Sequence, residues 1–166
     1  MTITVVGGCP GTGKSTLAQT LALQANGIHL ETDKFFDFVA NKIDPSTKPA
    51  RKQNEAVLGA WCSAAIAYSE SGYDVFVDGV IGPWWFPQLD EKLKNYRYVM
   101  LEADLETCVD RVRKRQGQAS ATETIVKTMH QQFVASDFNG ERIDTASKSA
   151  EQIASSFLAL PARKRK

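Results

Sequence analysis

Long apolar runs are missing from this chain. Its uncharged hydrophobic stretches fall far short of the roughly 18 residues that a membrane-spanning helix needs, and no basic segment precedes the β-like start Met1-Thr2-Ile3. Neither a membrane anchor nor a secretory leader is therefore expected. Cysteine is scarce and unpatterned. Cys9, Cys62 and Cys108 make 3 in all, no two stand as Cys-x-x-Cys, and an odd number at unrelated spacings reads as reduced thiols in a cytoplasmic setting. Only 2 histidines occur, His29 and His130, and with no ligand-like spacing between them both are expected to have ordinary packing or surface roles. Charge of one sign is also lacking: 20 Lys and Arg against 19 Asp and Glu leave +1, which gives no global attraction to nucleic acid. The run Arg163-Lys164-Arg165-Lys166 reads as a solvated basic tail over 161–166. Internal repeats and low-complexity segments are absent.

What is present suits an ordinary globular protein. With 166 residues, 43% of them hydrophobic and 23% charged, the chain is long enough to bury roughly 70% of its unfolded surface. One domain over 1–160 is expected, as a monomer or homodimer.

The informative stretch is Gly8-Cys9-Pro10-Gly11-Thr12-Gly13-Lys14-Ser15-Thr16, set between the apolar run Ile3 to Val6 and the helix-period segment Leu17 to Ala22. It fits the phosphate-loop pattern G-x-x-x-x-G-K-[ST] in the strand-to-helix context that the pattern requires. Glycine is needed where the backbone turns through conformations closed to residues with a Cβ and where a phosphate must approach N–H groups closely. The positive end of the following helix adds to that nest of donors, so a polyphosphate is the natural guest. In this reading Gly8 to Thr16 cradle the phosphates, Lys14 reaches the outer ones, and the Ser15 hydroxyl is offered to Mg²⁺.

Further along, strand-like and helix-like segments alternate, which points to a parallel sheet with helices on both faces. Strands are expected at Thr2 to Val6, Ile28 to Leu30, Val75 to Asp78, Tyr96 to Glu102 and Arg142 to Asp144. Helices are expected at Lys14 to Ala25, ending in a left-handed cap at Asn26-Gly27, and as an aromatic turn from Lys34 to about Asn41. Others follow at Arg51 to Ser71, Gln88 to Lys94, Asp104 to Arg115 and Thr122 to Ala135, and a last one opens with the capping box Ser149 to Gln152. Inward stripes are predicted at Val57, Ala60, Trp61, Ala64 and Tyr68, at Leu105, Val109 and Val112, and at Ile125, Met129 and Phe133.

Phosphoryl transfer asks a protein to hold a donor, aim an acceptor and neutralise charge. Asp33 follows the second strand at the sheet edge where ligands bind, and it is the candidate to orient and deprotonate an acceptor hydroxyl; it could equally cap a helix starting at Lys34. Glu31 reads as a solvated or pairing carboxylate, or as a further metal or substrate ligand. Asp78 ends an apolar strand and pairs with Ser15 as the metal-holding set. Arg111, Arg113, Lys114 and Arg115 precede Gly117, and a lid over about 111–121 is expected to bring at least one of them, Arg115 first, to the phosphates. Trp84, Trp85 and Phe86 either wall an acceptor pocket or belong to the core.

Together, the loop Gly7 to Thr16, the Thr32-Asp33 step, the Val75 to Asp78 strand and the Arg111 to Arg115 segment resemble the small P-loop kinases. That group includes chloramphenicol phosphotransferase, gluconate and shikimate kinases and the kinase domain of 5′ polynucleotide kinases. The resemblance runs from Thr2 to about Phe133. It implies an α/β P-loop NTPase fold, a three-layer α/β/α sandwich with a five-stranded parallel sheet in the order 2-3-1-4-5. It also implies ATP with Mg²⁺, Asp33 as catalytic base and Arg115 closing on the nucleotide. Phe36 stands where the polynucleotide kinases carry an arginine three residues after the aspartate, which favours a less charged acceptor. In that respect the chain is most similar to chloramphenicol phosphotransferase, whose acceptor is an aromatic alcohol. A kinase for a hydroxyl of a small, partly apolar molecule, such as an antibiotic or metabolite, is thus the first expectation, with Phe36, Trp84 and Trp85 toward the acceptor. A 5′-hydroxyl polynucleotide or nucleoside kinase and an NTPase switch without acceptor are the alternatives.

Overall fold

A computed structural model describes residues 1–115 and 121–160. The central strand is β1 (Ile3–Gly8), buried along its whole length. It pairs in parallel with β3 (Val75–Asp78) on one side and β4 (Arg97–Glu102) on the other. Strand β2 (Ile28–Glu31) adds outside β3, and β5 (Glu141–Asp144) outside β4. The five strands run β2-β3-β1-β4-β5, as the resemblance implied.

The period-2 alternation of the strands sorts the side chains into two cores. Ile3 and Val5 of β1, with Val75, Val77, Tyr98 and Met100, meet α3 (Arg51–Glu70), α4 (Phe86–Leu93), α5 (Leu105–Lys114) and α6 (Glu123–Val134). Val6, Phe76, Val99 and Leu101 face the other way, onto α1 (Lys14–Gln24) and the final helix (Ala150–Ala159). A short α2 (Thr32–Phe35) follows β2, which makes the final helix α7. This is the three-layer sandwich. Among the described residues no helix is long and apolar enough to cross a membrane.

Helix ends follow their local chemistry. After α1, Asn26 adopts φ 49°, the Gly27 N–H donates to Ala22 O at 2.8 Å and the Asn26 N–H to Leu23 O at 3.4 Å, the paired bonds of a Schellman ending. Ser149 and Gln152 form both bonds of the capping box at α7. Sheet and α7 are tied by Arg97, a buried residue that donates to both carboxylate oxygens of Glu141, at 2.9 and 2.7 Å, with its guanidinium 3.5 Å from the centre of the Phe157 ring.

The helix faces differ in part from expectation. In α3 the buried line is Val57, Leu58, Trp61, Cys62 and Ala65, while Ala60 and Tyr68 are exposed. Both lines share Val57 and Trp61; the observed one places small Cys62 and Ala65 inward, where the helix backbone packs against the sheet. In α6, Val126 takes the inward place expected of Ile125, which is exposed, with Phe133 buried as expected. In α5, Cys108 joins Val109 and Val112 inside, and Leu105 is only partly covered. After β2 the helix begins at Thr32, not Lys34, and passes at once into a tight turn over Phe36–Phe38. The basic tail 161–166 and positions 116–120 of the expected lid lie outside the described residues.

Candidate functional site

β1 delivers the glycine loop to the carboxyl edge of the sheet, between the ends of β3 and β4. Gly11 has φ 90° and Gly13, in the cap position of α1, has φ 89°. A Cβ on Gly11 would stand 2.3 Å from the backbone oxygen of Cys108, so only glycine lets the loop lie against α5. No side chain caps α1 and no acidic residue occupies its first turn, which leaves its leading N–H groups facing the loop.

The Cys9 carbonyl gathers the loop's interior donors. Lys14 Nζ donates to it at 2.9 Å, and so does the Thr12 hydroxyl at 2.9 Å. Burial lowers the Lys14 ammonium from its usual range; Asp78, Cys9 and Asp33 pull it back up, and the positive charge of Arg115 pushes it down again. Lys14 is therefore within the field of Asp78, Asp33 and Arg115.

Ser15 and Asp78 meet directly. The Ser15 hydroxyl donates to Asp78 Oδ2 at 2.6 Å, and His29 Nε2 lies 2.6 Å from Asp78 Oδ1. Both carboxylate oxygens are thus held. Among the described residues no group of three or more His, Cys, Asp or Glu could hold a metal alone. The Ser15 and Asp78 oxygens are the hard donors that Mg²⁺ takes when phosphates complete its shell.

Asp33 lies in the first turn of α2 and is not its cap; that position belongs to Glu31, whose carboxylate pairs with Lys34 at 3.3 Å. The Asp33 side chain is open to solvent and makes no hydrogen bond or ion pair with any described residue. Its neighbours still crowd it enough that lost hydration raises the carboxyl above its ordinary range; Lys14 opposes the rise, while Asp78, Glu31 and Asp37 add to it. A carboxylate with no partner among the described residues, shifted by burial and by a neighbouring ammonium, is the kind of group that clusters at functional sites.

On the other side of the loop a cavity of about 340 Å³ is lined by Thr12, Gly13, Thr16, Arg111, Arg115 and Lys148, among others. Arg111 is committed: it donates to the Thr145 hydroxyl and carbonyl, each at 3.0 Å, and to Gly11 O at 3.4 Å. Thr145 in turn donates to Thr12 O at 3.0 Å, so the arginine braces the loop from behind. Arg113 pairs with Glu123 at 2.5 Å. Arg115 ends α5 exposed, with no such pairing to a described residue. A second cavity, about 270 Å³, opens at the opposite strand ends against Met1, Ile3 and Asn95 and contains none of these groups.

The aromatic residues are divided between roles. Phe86 is buried against Tyr98 and Phe138. Phe36 and Trp85 are half-buried against the same core, and Trp84 is exposed in an edge-to-face pair with Phe133, ring centres 5.0 Å apart. Three participants were not anticipated from sequence: His29, expected to pack or face solvent, Thr145, and Cys108 behind the loop. His130 does have a packing role, through a 3.0 Å contact with Ala103 O.

Comparison with known proteins agrees with this layout. The fold matches a sugar kinase from Janibacter sp. HTCC2649 with a TM-score of 0.73 at 18% identity, covering 95% of this chain and 92% of that one. A gluconokinase from Sinorhizobium meliloti 1021 matches with 0.65 at 17%, covering 95% and 90%. The tunicamycin resistance protein of Deinococcus radiodurans matches with 0.68 at 22%, covering 97% of each chain. No curated protein matches the sequence. The fold is that of the small P-loop kinases. The AAA domain model matches residues 3–136, from β1 to just beyond α6, and the chain belongs to that family.

Proposed function

We propose that the protein is a kinase that transfers the γ-phosphate of ATP to a hydroxyl of a small, partly apolar molecule. The observation that carries this reading is Asp33: an open carboxylate with no partner among the described residues, within the field of Lys14 and Asp78, at the edge of the sheet where the phosphate loop lies. A protein that only bound or hydrolysed a nucleotide would have less use for a carboxylate kept free at that place.

Lys14 and the loop N–H groups hold the donor phosphates. Arg115 sets a second positive charge toward the same region. Asp33 accepts the proton of the acceptor hydroxyl as its oxygen attacks, a role that typically contributes about 10²- to 10⁴-fold. Ser15 and Asp78 would hold Mg²⁺, which when bound offsets the charge on the phosphate oxygens. The acceptor side would draw on Phe38 and Trp84, which are exposed, and on Phe36 and Trp85, which are half-buried, surfaces that favour an aromatic or partly apolar alcohol over a polyanion.

A coupled ADP-release screen with aromatic alcohols, antibiotics, sugars and nucleosides tests the proposal. Acceptor-dependent turnover that is lost in Asp33→Asn supports it. Turnover of an oligonucleotide 5′-hydroxyl would assign the protein to the polynucleotide kinases instead, and ATP hydrolysis indifferent to every acceptor would leave a nucleotide switch.

A further inference from the structure

The phosphate loop contains a sulfur atom that phosphate binding does not require. Cys9 Sγ lies 3.5 Å from Cys108 Sγ, although 99 positions separate them. Both thiols are free and buried, one in the loop after β1 and the other in the first turns of α5. To reach bonding distance the sulfurs need to close by about 1.5 Å. The backbones already touch: a Cβ on Gly11 would stand 2.8 Å from Cys108 Cα. The contact also divides the proton unevenly. Cys9 is held below the ordinary thiol range, first by Cys108 and then by the Lys14 ammonium, against the cost of burial. Cys108 is pushed up, by Cys9 and by burial. Cys9, whose own carbonyl receives the Lys14 ammonium at 2.9 Å, is thus the sulfur favoured as thiolate, and Cys108 is the resolving partner. Cys62, which burial pushes up to about 12, is the unreactive third.

We infer that Cys9 and Cys108 form an oxidation site at which hydrogen peroxide makes a disulfide and disables the phosphate loop. The Cys9 thiolate attacks one peroxide oxygen, the O–O bond breaks, and Cys9 becomes a sulfenic acid with release of hydroxide. The Cys108 sulfur then attacks the Cys9 sulfur, the S–O bond breaks, and the departing hydroxyl leaves as water with the Cys108 proton. In sum, two thiols and one peroxide give one disulfide and two waters. Drawing Cys9 toward α5 displaces the carbonyl that receives Lys14 Nζ and the Thr12 hydroxyl, so the cradle loses its shape. The inference rests on nucleotide binding by the loop and on no particular acceptor.

The test treats the full chain with hydrogen peroxide, with and without ATP, and follows intact mass, peptide linkage and affinity for a fluorescent ATP analogue. The expected result is a mass loss of about 2 Da from a Cys9–Cys108 link. Affinity should fall about tenfold or more, recover on adding dithiothreitol, and be spared when ATP is bound first. Cys62→Ser should respond as the parent does. Cys108→Ala and Cys108→Ser, checked by thermal melting, should lose the reversible response and carry added oxygen on Cys9 instead. Peroxide treatment that yields no Cys9–Cys108 link, or a link that leaves affinity unchanged, overturns the inference. Weak analogue binding by the reduced protein would count against the nucleotide reading itself, and the two failures are thereby told apart.

Discussion

His29 Nε2 sits 2.6 Å from Asp78 Oδ1 while the Ser15 hydroxyl donates to Asp78 Oδ2 at 2.6 Å, so a single carboxylate joins β2, β3 and the first turn of α1. Aligned by β2-β3 pairing, the histidine holds Asp78 from the side opposite the loop. His29→Ala frees that oxygen and lets the carboxylate turn. Groups that orient a metal-binding carboxylate typically affect metal affinity by about 10- to 100-fold. Titrating Mg²⁺ into a nucleotide-binding assay should show a half-saturation at least about tenfold higher in His29→Ala than in the parent. Nucleotide binding without Mg²⁺ should change little. An unaltered Mg²⁺ curve would show that Ser15 alone is enough to set Asp78.

Asp33→Asn should separate chemistry from stability. Acceptor-dependent turnover should fall by about 10²-fold or more with ATP affinity nearly intact. Stability should move the other way. The folded carboxyl is raised from its ordinary value of 3.8 by lost hydration. Its contribution to stability is therefore fully present below that value and is lost as pH rises through the folded one. At pH 7 the ionised group costs stability, so the asparagine variant should melt higher than the parent. The side chain is open to water, which keeps the gain under about 1 kcal/mol, a few degrees at most for a chain of this length. At about pH 3 the difference should vanish, because both forms are then neutral. Melting the pair of proteins across that range checks the sign.

Gly11→Ala places a methyl group at a φ of 90° and 2.3 Å from Cys108 O. Left-handed backbone costs about 1–2 kcal/mol for a residue with a Cβ, and overpacking typically costs about 1–3 kcal/mol more. A denaturant midpoint lowered accordingly, with nucleotide affinity lost, is the expected result. Gly59→Ala, whose Cβ would meet nothing nearer than the Lys92 side chain at 3.9 Å, is the control and should be tolerated.

Arg97→Met tests the tie between the sheet and α7. It removes two hydrogen bonds to Glu141 and a charge stacked on Phe157. Breaking a buried ion pair from one side is strongly destabilising. Because Glu141 keeps some access to water, a loss of about 2–3 kcal/mol in chemical denaturation is expected. Glu141→Gln should cost less, since it still accepts a hydrogen bond from the arginine.

Much of this was legible in the residues. The glycine loop announced a strand-to-helix turn, because few other turns need that spacing of Gly, Lys and Ser. Asn26-Gly27 and Ser149 to Gln152 specified helix ends through bonds that are local in sequence. Legibility stopped where position depends on register between distant segments. His29 gives no sign of its task until β2 is laid beside β3, and Thr145 is one threonine among several until β5 delivers it to Thr12. The inward face of α3 was misread for a related reason: Val57 and Trp61 fit two overlapping stripes, and only the sheet decides between them. Trp84, Trp85 and Phe86 read alike along the chain, and the turn into α4 alone assigns one to solvent, one to the margin and one to the core.

The central place of β1 has a kinetic consequence. Its neighbours β3 and β4 are distant in sequence, and the loop it carries is completed by Cys108 and Thr145, 99 and 133 positions from their contacts. Closing such large loops is entropically slow and is rewarded only when the final pairings form. The nine-residue signature that is easiest to recognise on paper is therefore among the last parts of the molecule to acquire its working shape, and a partly folded chain should show little appetite for nucleotide until nearly the whole sheet has assembled.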